Sequence, residues 1–187
     1  MLKYWYLFNE DNDNNNVAIA QSPGDKTLVD WTKDIISLRE IPFEFSVESD
    51  KLLEDYLADD LGVPLMSERL MKIISKYLTG KEGLRWYNAL VNYGDKKIIY
   101  YVPSFKEDLD VLNHETSLFN KETGGLIKAS FSFNKINQFA FFPLPQIDIK
   151  LPFRLGLIVS DDIKKDIIKG KLTGVNFSKV SIIQECQ

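Results

Sequence analysis

The most regular hydrophobic pattern of the chain lies near its C-terminus, where a short apolar run meets an amphipathic segment. Residues 155–159 are apolar throughout, which is typical of a strand buried on both faces. Ser160 then stands where a helix N-cap is needed, and Gly170 is expected to end the helix in a left-handed conformation. The pattern predicts a strand, a helix over residues 161–169 and further strand within residues 173–183.

A second unit of the same kind occurs earlier in the chain. Ser67 follows an apolar segment and precedes an acidic residue, as Ser160 does. Apolar residues then recur at positions i, i+3, i+4 and i+7 up to residue 78, which predicts an amphipathic helix with one buried face. The two units lie at residues 65–78 and 158–169.

Alternation of apolar and polar residues predicts many strands. The clearest segments are residues 1–8, 17–20, 43–47, 84–93, 96–102, 127–133 and 139–142. Gly94 and Asp95 separate two of them and indicate a two-residue hairpin turn, while Pro103 is expected to end the second strand. The strand of residues 139–142 is expected to pair with that of residues 127–133. With about three helices, this pattern predicts an α+β domain around a largely antiparallel mixed sheet.

Residues 49–60 combine apolar and acidic positions. Leu52, Leu53, Tyr56 and Leu57 have the spacing of a short helix that opens at residue 49 or 50. Its carboxylates are then expected to face solvent, and two further carboxylates follow later in the chain. A solvated face is the simpler interpretation of this set, and a partner-binding surface is the alternative. The candidate partner-binding residues are Glu54, Asp55, Asp59, Asp60, Glu107 and Asp108.

Length, composition and charge narrow the class of protein. The 187 residues, 44% of them hydrophobic, are enough for one domain with a sizeable core. We expect residues 1–45 to be an N-terminal elaboration, residues 46–183 the core and residues 184–187 a tail. A net charge of −4 argues against nucleic-acid binding, which requires a basic face. No segment has the roughly 18 consecutive apolar residues of a membrane helix, and no signal peptide is evident, so we expect a cytoplasmic protein.

Few residues suggest chemistry. His114 and Glu115 resemble the start of a zinc-protease helix, but Leu118 stands where the second histidine is required. Cys186 lies in the expected tail, where no rigid scaffold would hold it against a base. The sequence lacks a phosphate-binding loop and a dinucleotide fingerprint. We therefore predict no catalytic, cofactor-binding or metal-binding residues.

One acidic loop has part of the pattern of a calcium site. Asp11, Asp13 and Asn15 resemble the opening of a calcium loop. However, Asn16 stands in place of the required glycine and Ser22 in place of the bidentate glutamate. A solvated turn is the favoured interpretation of this loop.

Three segments together resemble family eleven of the immunity proteins of bacterial polymorphic-toxin systems. They are residues 63–70, residues 109–113 with Glu115 and Ser117, and residues 157–160 continuing through the helix to 172–177. Their order and spacing agree over roughly residues 45 to 180. The resemblance implies a cytoplasmic protein that binds and neutralises a cognate toxin, and it brings no catalytic residues or cofactor with it.

Two other functions remain open at this point. One is an adaptor or regulatory module that binds a protein unrelated to toxins. The other is a hydrolase that uses carboxylates alone, because carboxylates distant in sequence can meet in a fold. A concave site with two or more converging buried acids would favour the hydrolase. If the partner is a basic toxin, the candidate carboxylates are expected to meet its cationic groups.

Overall fold

The fold joins a closed six-stranded barrel to a four-stranded antiparallel sheet. This computed structural model describes residues 3–10, 16–21, 43–48, 51–106, 109–145 and 156–184. Together with the helices, these sheets confirm the predicted α+β class. Within the described part of the chain, no helix has the length and apolarity needed to cross a membrane.

The described residues form fourteen strands and three helices. The strands are β1 (Tyr4–Asn9), β2 (Val17–Ala20), β3 (Phe43–Val47), β4 (Tyr56–Asp59), β5 (Leu65–Met66), β6 (Leu84–Tyr93), β7 (Lys96–Phe105), β8 (Leu118–Phe119), β9 (Leu126–Lys128), β10 (Phe131–Ser132), β11 (Phe141–Pro143), β12 (Leu157–Ser160), β13 (Val175–Lys179) and β14 (Ile182–Ile183). The helices are α1 (Glu68–Ser75), α2 (Phe133–Ile136) and α3 (Asp161–Lys169).

The four-stranded sheet has the order β11-β12-β1-β13, and every neighbouring pair is antiparallel. The predicted strand, helix and strand near the C-terminus are thus confirmed as β12, α3 and β13. These two strands are parallel to each other but do not pair, because β1 lies between them. The first strand of the chain is therefore central to the sheet. The division into an N-terminal elaboration, a core and a tail remains a prediction.

The barrel has the order β2-β3-β6-β7-β5-β4. The hairpin predicted at Gly94 and Asp95 is confirmed, with Tyr93 opposite Lys96. The prediction that Pro103 ends the second strand is wrong, since β7 continues to Phe105 and Pro103 lies opposite Trp86. Strand β5 pairs with β7 at Tyr101, so that pairing does not require a backbone N–H at Pro103. Proline is tolerated where a strand has a free edge.

Strands β4 and β5 form a wall between two hydrophobic cores. In β4, Tyr56 packs in the core shared with the sheet and helices, while Leu57 packs inside the barrel. In β5, Met66 and Leu65 divide between the two cores in the same way. Successive side chains of a strand point to opposite faces, so a strand with a core on each side has adjacent buried residues.

This wall explains why the helix predicted for the segment after residue 49 is wrong. Adjacent apolar residues such as Tyr56 and Leu57 fit one side of a helix in sequence, but here they lie on opposite faces of β4. The residues before it, 52–54, have no regular secondary structure. The carboxylates expected to line an outward helix face therefore have individual environments.

The single strand predicted over residues 127–133 is also wrong. The chain forms β9, breaks at Ala129 and Ser130, then forms β10 and the first turn of α2. The break is held locally, because the Ser130 N–H donates to Ser117 Oγ and Ser130 O accepts from the Asn113 N–H. Strand β11 pairs with β12 and not with this segment, which corrects the expected pairing.

Both predicted helix caps are confirmed. Ser67 Oγ accepts from the Leu70 N–H, and Ser160 Oγ accepts from the Ile163 N–H. Gly170 does not adopt the expected left-handed conformation, since its φ is −73°; the residue with positive φ is Lys171. Space at position 170 is tight, because a Cβ would lie 3.1 Å from Asp166 O and would displace the end of the Leu172 side chain, 2.7 Å away.

The two long helices pack against each other in opposite directions. Asp166 of α3 accepts from Lys76 Nζ at 2.9 Å and from the Tyr77 hydroxyl at 2.7 Å, both at the end of α1. At the start of α1, Arg69 Nη2 donates to Gly170 O at the end of α3, at 2.8 Å. The two similar sequence units thus meet in space, and they place the start of α1 beside the loop that follows α3.

Candidate functional site

A cleft of about 540 Å³ lies where the barrel meets the start of α1 and the loop after α3. Four sequence-distant segments converge there: the residues before β4, the start of α1, β7 and the loop before β13. The lining residues are Leu52, Leu53, Glu54, Asp55, Ser67, Arg69, Tyr100 and Thr173. Ser67, Arg69 and Thr173 belong to two of the segments that carry the family resemblance.

Asp55 is the buried centre of this junction, only 6% exposed. Its Oδ1 accepts from Ser67 Oγ at 2.6 Å, and its Oδ2 accepts from the Thr173 N–H at 3.1 Å. Arg69 Nη1 lies 3.4 Å from the same Oδ2. A carboxylate removed from water needs such donors and a cation to offset its desolvation. Asp55 therefore ties the barrel to both helical units.

The backbone of the same segment is bound as closely as the side chain. The Asp55 N–H donates to Thr173 Oγ1, and Asp55 O accepts from the Ser67 N–H. The Tyr56 N–H donates to Thr173 O. Because Arg69 contacts both Asp55 and Gly170 O, its guanidinium is committed to the junction although its side chain is 62% exposed.

Gly174 allows the loop before β13 to approach β4. Its φ is +70°, a conformation that side chains disfavour. A Cβ at this position would lie 2.3 Å from Tyr56 O and 2.8 Å from Glu54 Cβ. Both backbone conformation and space therefore require glycine here.

Glu54 differs from its neighbour Asp55 in lacking partners. Its Oε2 atom is enclosed by protein and has no hydrogen-bond partner. Burial, and secondly the charge of Glu10, raise the pKa of its carboxyl group. The Tyr100 hydroxyl donates to Glu54 O at 2.6 Å, so the backbone is held while the carboxyl group is not.

Asp59 organises the turn that follows β4. Its Oδ1 accepts from the Leu61 N–H at 2.8 Å and from the Val63 N–H at 3.0 Å. Burial raises the pKa of Asp59 to about 7, and these backbone donors oppose the rise. Asp60 is exposed, and its Oδ1 accepts from the Ala20 N–H of β2.

The prediction that the four carboxylates of residues 54–60 face solvent is therefore wrong for most of them. Asp55 is buried, Glu54 and Asp59 are half-buried, and Asp60 is exposed. Glu107 and Asp108 lie outside the described residues. A role of all six in partner binding stays a prediction.

The other chemical candidates are placed apart from the cleft. His114 is exposed, its ring stacks on that of Phe119, and its Nε2 lies 3.8 Å from Asp110 Oδ1. Across the described ranges, no group of three or more potential metal ligands occurs. Asp11, Asp13, Asn15, Ser22 and Cys186 lie outside those ranges.

Asn16, which stands where the calcium loop requires glycine, has a structural role. It is 1% exposed, and its side chain forms hydrogen bonds with both the N–H and the carbonyl of Glu48. This amide joins the start of β2 to the end of β3. Asn16, whose identity argues against a calcium loop, thus links β2 to β3 at one end of the barrel.

The third resemblance segment organises a different part of the protein. Asn113 Oδ1 accepts from the N–H and the hydroxyl of Thr116, and Ser117 Oγ donates to Ser130 O. Val111 and Leu112 pack in the core on the other face of the four-stranded sheet. This segment supports the fold and does not line the cleft.

Sequence reasoning identified Ser67 only as a helix cap and did not single out Arg69, Tyr100 or Thr173 as site residues. The available signal was that Ser67, Arg69 and Thr173 fall within resemblance segments. Their meeting point depends on the antiparallel packing of α1 and α3, which no local pattern specifies.

The fold and cleft together define an α+β domain in which charged side chains from distant segments meet at one concave surface. A family model described as Immunity protein family (Imm11) matches residues 9–181. The chain belongs to this immunity protein family. The match begins well before residue 45 and includes strands β2 and β3 of the barrel. A search of curated proteins found no match.

The junction at Gly174 yields a test of its close packing. We expect Gly174→Ala to lower the free energy of unfolding by about 2–5 kcal/mol, from left-handed strain plus displacement of the Tyr56 carbonyl. Gly124→Ala is the matched control, because Gly124 has φ +76° but no heavy atom within 4 Å of a Cβ. It should cost about 1–2 kcal/mol. Equal losses in urea denaturation would contradict the close approach.

The raised pKa of Asp59 predicts that the free energy of unfolding depends on pH. Its pKa in the folded protein, about 7, exceeds that of an unfolded aspartate, so the folded state holds this proton more tightly. The contribution of this proton to the free energy of unfolding is fully present below about pH 4. It is lost as the pH rises through about 7 and Asp59 ionises in the folded protein. Asp59→Asn keeps an acceptor for Leu61 and Val63 but cannot ionise. Urea denaturation from about pH 4 to pH 8 should show a shallower pH slope for this variant, and parallel profiles would refute the assignment.

Proposed function

We propose that this protein is an immunity protein that binds and neutralises a cognate bacterial toxin by stoichiometric protein–protein interaction, without catalysis of its own. The observation that carries the proposal is the family match over residues 9–181, nearly the whole chain. On this proposal the protein acts in the cytoplasm of the toxin-producing cell, as one component of a polymorphic-toxin system.

The cleft supports binding better than hydrolysis. Glu54 and Asp55 both line it, so the geometric condition for a carboxylate hydrolase is met in part. A two-carboxylate mechanism requires both acids to reach the substrate. Both oxygens of Asp55 already accept from Ser67, Thr173 and Arg69, which leaves Glu54 as the acid with an unpartnered oxygen. One carboxyl group without a bound donor cannot fill both roles of that mechanism, whereas it can attract a cationic partner.

The acidic charge of the protein favours a basic partner. The net charge is −4, and Asp60 presents its carboxylate to solvent on the barrel near the cleft segment. We propose that the carboxylates at residues 54–60, with Glu107 and Asp108, contribute to the toxin-facing potential. Asp55 and Asp59 would act mainly by maintaining the shape of the surface, since each is engaged in internal hydrogen bonds.

The primary test is neutralisation at a defined stoichiometry. The protein is used as bait in a lysate of its own host, and a captured toxin-bearing chain is identified by mass spectrometry. The toxin domain is then expressed in bacteria with and without the protein. We expect growth arrest by the toxin alone, rescue by co-expression, and loss of toxin activity at one equivalent in a titration of purified components.

Other outcomes separate the rival functions. Neutralisation far below one equivalent would indicate turnover and therefore the hydrolase. A tight partner that is not a toxin, and whose activity the protein does not abolish, would indicate an adaptor. Either result would refute stoichiometric immunity.

A charge reversal tests the electrostatic part of the proposal. Asp60→Lys should slow association with the toxin several-fold at low salt, with the difference shrinking at high salt, because surface charges steer encounter and are screened. Asp162→Lys makes the same charge change on the exposed start of α3 and serves as the control. Stopped-flow or surface-plasmon-resonance rates that are equal for both variants would remove Asp60 from the interface.

A further inference from the structure

Glu54 is a charged group that the fold leaves incompletely compensated. Its Oε2 has neither solvent contact nor a hydrogen-bond donor. The nearby cation, Arg69, is bound to Asp55 and to Gly170 O. Among the described residues, no basic side chain forms an ion pair with Glu54. The nearby charge of Glu10 adds to the negative potential at this carboxyl group.

The same cleft has an apolar margin. Leu52 is 86% exposed, a high value for a large aliphatic side chain, and Leu53 lines the cleft next to it. The cleft volume of about 540 Å³ lies within the range of sites that enclose small ligands or long side chains. Apolar walls beside an acidic group suit a side chain with an aliphatic stem and a cationic head.

We propose that this cleft is a receptor for an arginine side chain of the toxin. The guanidinium meets the Glu54 carboxyl group from the cleft, the Glu54 side chain rotates to bring Oε2 out from against Gly174, and neighbouring apolar toxin surface packs against Leu52. The identity of the partner rests on the proposed function, whereas the cation-binding property of the cleft does not. Arginine fits better than lysine because its guanidinium is weakly hydrated, planar and suited to a carboxylate in a partly enclosed site.

The stability of the free protein carries a signature of this role. The folded state favours the protonated form of Glu54. The stability that this proton contributes is therefore lost as the pH rises through the raised pKa of the carboxyl group. Glu54→Gln keeps the size of the side chain and removes the charge. The variant should therefore have an equal or higher melting temperature at neutral pH, together with weaker binding. A residue that serves only the fold would not show this opposite pair of effects.

The first experiment uses small probes and needs no toxin. Nuclear magnetic resonance of the full chain is recorded with N-acetyl-arginine amide and with N-acetyl-citrulline amide, its uncharged analogue. We expect the arginine probe to shift the amide resonances of residues 53–55 and 173–174 with millimolar affinity, and the citrulline probe to bind at least about tenfold more weakly. In Glu54→Gln the arginine probe should lose that preference. Equal shifts with both probes, or no shifts, would overturn the inference.

The second experiment uses the captured toxin. Glu54→Gln should weaken toxin binding by at least about tenfold, while Glu115→Gln, an exposed acid outside the cleft, should leave it unchanged. If toxin binds both variants equally, the cleft is not the arginine receptor although immunity stands. If no toxin binds the wild-type protein, the proposed function fails, and the probe measurements alone decide whether the cleft takes a guanidinium group.

Discussion

The structure depends on one buried carboxylate. Asp55 has 6% exposure, and it is stable there because Ser67, Thr173 and Arg69 surround it with donors from three segments. Loss of such a carboxylate would leave buried donors unsatisfied, an arrangement that typically costs a few kcal/mol. This contact joins the barrel to α1 and to the loop after α3, beside the apolar core that these elements share. The cleft is the space left beside it.

A second constraint is the double-sided wall of β4 and β5. Each strand sends one side chain into the barrel and the next into the core beneath the helices. Burial on both faces removes the need for amphipathic alternation, so the segment reads as helical in sequence. Glu54 and Asp55 directly precede this wall. Although they are adjacent in sequence, Asp55 is bound by donors from other segments and Glu54 Oε2 is not.

Family membership and the cleft complement each other. Two of the resemblance segments supply Ser67, Arg69 and Thr173 to the Asp55 junction, whereas the third secures the core around Leu112. The parts of the sequence that suggested an immunity protein are thus mainly structural. On the proposed function, recognition of a partner would fall to side chains around them. Examples are Glu54, whose Oε2 lacks a hydrogen-bond donor, and Leu52, whose apolar side chain is exposed.

Elements with strong local signals can be predicted from the sequence. The capped helices at Ser67 and Ser160, the hairpin at Gly94 and the α+β class follow from hydrogen bonding and periodicity within a few residues. The environments of the carboxylates at residues 54–60, the central place of β1 and the meeting of α1 with α3 become visible only in the folded chain. Burial and charge compensation depend there on contacts between segments more than a hundred residues apart, such as Asp55 with Thr173. No local pattern encodes those contacts.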